Sequence, residues 1–170
     1  MPLNDVEIKI LNFLYEERTK DIYHPPHIDR LTELINLPPD QVELIVKFLN
    51  LEDYVYTYHA PSPVKITASG IDIVERNFDD DKFQKLSKSR GSVLNELRSI
   101  YEKNADKWVN DEHLLQVTGV NDRLHLYSIV DYLAQKKLVD LRGRALGFFH
   151  VRLSQYGYLS TRSSNEIICS

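Results

Sequence analysis

Two stretches, VKITASGIDIVE (residues 64–75) and FHVRLSQYGYLS (149–160), share one grammar: a β-branched run, a hydroxyl residue, Gly three positions later, then apolar residues at helical spacing. Such a recurrence constrains the fold more than any single motif, because a repeated unit has to bury the same faces twice. The match extends backwards. ILNFL (10–14) aligns with VLNEL (93–97) at an offset of 83, and Leu31, Leu34 and Leu37 fall on Leu114, Val117 and Val120 at that offset. One inserted residue then sets VELIVKFLNLEDYV (42–55) over LYSIVDYLAQKKLV (126–139). Val42, Ile45, Val46 and Leu49 match Leu126, Ile129, Val130 and Leu133, the i, i+3, i+4, i+7 stripe of a helix with one buried face. Three more residues enter the second copy before Thr67 and Gly70 meet Ser154 and Gly157, which implies an exposed loop there.

The elements can be read once and applied twice. In the first copy Asn4 and Glu7 have the spacing of a capping box opening a helix that carries Ile10, Leu11, Phe13 and Leu14. The prolines of TKDIYHPPH end it, and a second helix begins near Ile28 or Asp29. Asn36 to Pro39 is a turn, and a third helix runs from about Pro39 to Asn50, where a first-turn proline loses no helical hydrogen bond. YVYTYH (54–59) and VKIT (64–67) are predicted strands around the tip APSP (60–63), with Thr67 the N-cap of a last helix. The second copy places helices near 92–103, 111–118 and 122–136, strands near 138–142 and 148–153, and a final helix from about Gln155. Its hairpin tip is GRALG (143–147).

Helix, helix, turn, helix, hairpin, helix in two copies resembles the winged helix-turn-helix family, including its archaeal-type transcription regulators. The carriers are NLPPDQVELIVKFLNLEDYV and TGVNDRLHLYSIVDYLAQKKLV, with hairpins ending in KITASGIDIV and VRLSQYGYLS. The resemblance implies a mainly α chain with small β-hairpins (α+β), as two tandem winged-helix domains at 1–78 and 91–165. RNFDDDKFQKLSKSR lies between them, and residues 79–90 are either a charged linker or a linker helix. Winged-helix domains bind DNA in many regulators and serve as protein-interaction modules in other assemblies, so fold alone does not assign the role.

Charge bears on that choice. The chain carries net −4, yet residues 1–87 hold 9 Lys+Arg against 16 Asp+Glu and residues 88–170 hold 12 against 9. Phosphate binding draws on Lys and Arg, so any duplex contact belongs to the second copy. The resemblance makes its third helix the groove reader and its hairpin the neighbouring contact. The candidate nucleic-acid-binding residues are Arg123, His125, Tyr127 and Ser128 on that helix, Lys136 and Lys137 at its end, and Arg142, Arg144 and Arg152 on the hairpin. Asp122, Asp131 and Asp140 lie among them and offer pairing on a solvated surface instead. In the first copy Asp40, Gln41, Glu43 and Lys47 occupy the exposed face, which suits a protein partner better than phosphate.

With 170 residues, 42% of them hydrophobic, the chain is sized for one ordinary domain or two small ones. MPLNDVEIKI lacks a secretory signal pattern and no apolar run is long enough to span a bilayer, so a cytoplasmic location and no membrane association are expected. The single Cys169 excludes a disulfide framework within the chain. His24 and His27 have an H-x-x-H spacing, but prolines hold them in a loop and no metal is expected. Tyr54, Tyr56 and Tyr58 share one strand face. With no Gly-rich phosphate loop, nucleophile elbow or acid/base pair, neither an enzyme nor a cofactor is expected. Two classes of function remain open: a DNA-binding regulator contacting the duplex through the second copy, with homodimers possible, and an adaptor that binds proteins, in part through the first copy.

Overall fold

The computed structural model describes residues 3–57, 63–143 and 148–163, with side chains up to residue 161. The chain is mainly helical with two small antiparallel sheets, and it divides into two compact units, Met1–Phe78 and Asp79–Ser170.

The first unit begins with α1 (Asp5–Lys20), opened by a capping box in which Asn4 accepts from the Val6 and Glu7 amides while Glu7 reaches back to the Asn4 amide. Next come α2 (Ile28–Ile35), α3 (Pro39–Leu51), the strands β1 (Val55–Tyr56) and β2 (Lys65–Ile66), and α4 (Ala68–Glu75). Asn36 closes α2 in the left-handed conformation, at φ 57°. The core gathers Ile10, Leu11, Leu14, Leu31, Val42, Val46 and Leu49 with Val55, Val64, Ile66 and Ile71, all buried. Of the strand expected over 54–59, the described residues show β1 at Val55 and Tyr56; Tyr58, His59 and most of the APSP tip lie outside the described residues.

The second unit opens with α5 (Asp80–Lys103), 24 residues long and N-capped by Asp79. The charged segment 79–90 is therefore helical and continuous with the helix expected near 92–103. It is followed by β3 (Val109–Asn110), α6 (Asp111–Thr118), α7 (Arg123–Gln135), β4 (Val139–Arg142), β5 (His150–Leu153) and α8 (Gln155–Ser163). The sheet order is β3-β5-β4, antiparallel throughout, with Val109 opposite Val151 and Leu141 opposite Val151 on its other side.

Strand β3 has no counterpart among the expected elements, since two residues carry no readable period. Its equivalent in the first unit is a single antiparallel bridge between His27 and Pro63, beside which the Pro26 carbonyl accepts the Val64 amide at 2.8 Å. Pro25 and Pro26 have no N–H to donate, so the ladder cannot lengthen there.

The shared grammar at 64–75 and 149–160 corresponds to one backbone corner built twice. In each unit the residue before the hairpin turns left-handed, Asp53 at φ 60° and Lys137 at φ 62°. The next amide returns to the preceding helix, Tyr54 to Leu49 at 2.9 Å and Leu138 to Leu133 at 3.0 Å. The hydroxyl residue ties the second strand to this turn: the Thr67 amide donates to Tyr54 and the Ser154 amide to Leu138, both at 3.1 Å. Their hydroxyls donate to the Asp53 and Lys137 carbonyls and accept from the Gly70 and Gly157 amides, capping α4 and α8. Glycine is required because a Cβ on Gly70 would fall on the Tyr54 carbonyl oxygen, and one on Gly157 on that of Leu138.

Candidate nucleic-acid interface

Helix α7 starts where Asp122 accepts the His125 amide at 2.6 Å, and Leu126, Ile129, Val130 and Leu133 are buried as the stripe predicts. The burial extends further than the stripe. Tyr127 is 4% exposed and lies against the Phe149 ring at 5.4 Å, so it is a core residue and not a groove-facing one. Asp131 is 2% exposed and accepts a hydrogen bond from Gln135, so it is buried and not part of a solvated surface. Elsewhere on α7, α5 packs against it, with the Arg90 guanidinium 3.7 Å above the Tyr132 ring.

The remaining candidates separate by their partners. Arg123 is half-buried with Nε 2.6 Å from Oδ2 of the buried Asp111, although the N–H is not aligned on that oxygen as a hydrogen bond. Its guanidinium also lies 4.8 Å over the Phe148 ring. A carboxylate with 3% of its side chain exposed needs a cation close by, so Arg123 serves the junction of α6 and α7. Arg152 donates to Asp140 at 2.9 Å and to Asp106 at 3.2 Å, which offsets its charge from two sides. Asp106 was not legible as its partner, since it arrives from the turn between α5 and β3.

Arg142 is exposed at the end of β4, and its guanidinium stacks 3.9 Å over Trp108, a residue the sequence did not single out. The register explains this meeting. Arg142 is opposite His150 and Asp140 opposite Arg152, and strand alternation sets all four on the face turned away from Leu141 and Val151. A cation held over an indole keeps its charge available to an anion, which one matched by a carboxylate does not. His125 and Lys137 are exposed, while Ser128 and Lys136 are half-exposed, with the Lys136 ammonium 5.7 Å from the Tyr132 ring. Arg144, with the rest of the tip at 144–147, lies outside the described residues.

Beside this face is an open cleft of about 460 Å³ between α5, β3, α6 and β5, bordered by Lys103, Lys107, Trp108 and His150. In it His113 Nε2 lies 2.8 Å from Glu96. The histidines of the HPPH loop are held apart from each other by different carboxylates, His24 by Asp21 at 2.7 Å and His27 by Asp29 at 3.0 Å. Among the described residues no cluster of His, Cys, Asp and Glu has the makings of a metal site, and no helix is long and apolar enough to cross a membrane. No protein-family model matches the chain, and no curated protein matches it.

Proposed function

We propose that the chain is a tandem winged-helix protein of transcription-regulator type, whose second unit holds double-stranded DNA mainly through its hairpin sheet. In each unit, two helices and a turn lead to a third helix, a hairpin and a closing helix, the element order on which the family reading rests. The observation that carries the DNA reading is Arg142: exposed at the hairpin, stacked on Trp108, and among the described residues engaged by a ring and not a carboxylate. Lys137, His125 and the arginine of the tip, Arg144, extend the contact. Since Tyr127 and Asp131 of α7 are buried beside its apolar stripe, the helix offers a groove His125 and the half-exposed Ser128 and not the ring of Tyr127. Contact led by a hairpin cation is contact with phosphates, which gives strong salt dependence and little base preference.

A mobility-shift titration of random duplex DNA at two salt concentrations tests this. Arg142→Ala is expected to weaken binding to all sequences alike and to make the log-affinity against log-salt slope shallower by about one unit. An unchanged slope removes Arg142 from the interface.

A second reading, a protein-binding adaptor, is favoured by the aspartates that face Arg123 and Arg152 and by the burial of Tyr127. It is the conclusion if duplex DNA binds no more tightly than ~10⁻⁴ M at physiological salt.

A further inference from the structure

We infer that the outward face of α3 in the first unit is a docking surface for a basic amphipathic helix of another protein. Leu44 is 66% exposed and Leu51 is 75% exposed, against a core in which Val42, Val46 and Leu49 of the same helix are at most 3% exposed. The two leucines are seven residues apart and so share one side of the helix, about 10 Å apart along its axis. Phe48, half-exposed, stands between them, making Leu44, Phe48 and Leu51 a seam with the 4-then-3 spacing at which a partner helix presents its own apolar positions.

The repeat shows that the fold does not need these leucines. At the offset of 84 that aligns the two third helices, Leu44 corresponds to Ser128 and Leu51 to Gln135. The second unit makes the same helix and the same corner with polar residues at both places. Apolar side chains held in water where the architecture accepts polar ones point to a surface that is covered in a complex.

Charge selects the partner. Asp40, Glu43 and Glu52 are exposed around the seam, and Lys47 is the one cation of α3. Residues 1–78 hold 7 Lys+Arg against 13 Asp+Glu, so a second copy of this face would bring like charges together, and a nucleic acid would be repelled. A helix with leucine-like anchors and a Lys/Arg rim fits both the seam and the border. This inference does not depend on the DNA reading of the second unit.

The test uses the full chain and two 15-residue helical peptides with Leu at heptad a and d positions, the other positions being mostly Lys in one and mostly Glu in the other. Fluorescence anisotropy is expected to show the Lys peptide binding at least tenfold more tightly. Leu44→Ser with Leu51→Gln, the residues of the second repeat, should lower that affinity at least tenfold without changing the circular-dichroism melt. Should that double variant fail to fold, Glu43→Lys alone is expected to weaken the Lys peptide at least threefold at low salt. Equal binding of the two peptides, or affinities untouched by these substitutions, would overturn the inference. So would light scattering in which Leu44→Ser with Leu51→Gln dissolves a self-associated form, since the face would then belong to a second copy.

Discussion

The third helices of the two units, α3 and α7, hold the same place in the repeat and turn different faces to their surroundings. Their shared positions are buried alike: Val42 with Leu126, Val46 with Val130, and Leu49 with Leu133. Outside that stripe they diverge. Glu43 is exposed where Tyr127 is buried, Lys47 is exposed where Asp131 is buried, and Leu44 stands in water where Ser128 is half-covered. The inward stripe fixes how a helix sits, while its flanks answer to whatever packs beside them. Alignment of two copies therefore transfers a fold and not a function.

The corner is where the units should behave most alike, and glycine is its most sensitive point. Gly157→Ala and Gly70→Ala each drive a methyl group into a backbone carbonyl that cannot swing away. Each is expected to cost about 3 kcal/mol or more in guanidinium unfolding. A tolerated substitution in one unit only would break the equivalence of the two corners.

Tyr127→Ala and Glu43→Ala sharpen the contrast at one aligned position. Truncating the buried ring is expected to cost about 3 kcal/mol, and truncating the exposed carboxylate less than about 0.5 kcal/mol. If Tyr127→Ala instead left the unfolding midpoint alone and weakened only DNA affinity, the ring would belong to an interface and not to the core.

At the hydroxyl caps the expected effect is smaller than at the glycines or the buried ring. Ser154→Ala and Thr67→Ala each remove the acceptor for a glycine amide and a donor to a left-handed turn, a loss of about 1 kcal/mol apiece in the same unfolding measurement. Values differing by more than a factor of two between the units would mean that the hairpins, four-residue strands in one and two-residue strands in the other, share the load unequally.

Much of the architecture was legible because its signals are local. The capping box at Asn4 and the Thr67–Gly70 and Ser154–Gly157 spacings each involve residues within a few positions, so short-range geometry fixes them. The candidate interface was legible only as a set of residue types. Arg142 and Arg152 could be placed on a hairpin, but the stacking of Arg142 on Trp108 depends on β3, a strand too short to carry a pattern. Tyr127 sits one position beyond an apolar stripe, where periodicity is equally compatible with a buried and an exposed ring.

By itself the sequence determined the duplication, the inward stripes, the caps and the glycine corners, because backbone sterics and hydrogen-bond reach act over a few residues wherever the chain lies. Only the tertiary structure decided which charges are matched by carboxylates. Asp106 and Asp111 come from other elements to Arg152 and Arg123, and Phe149 lies against Tyr127, so exposure and pairing are set by neighbours distant along the chain.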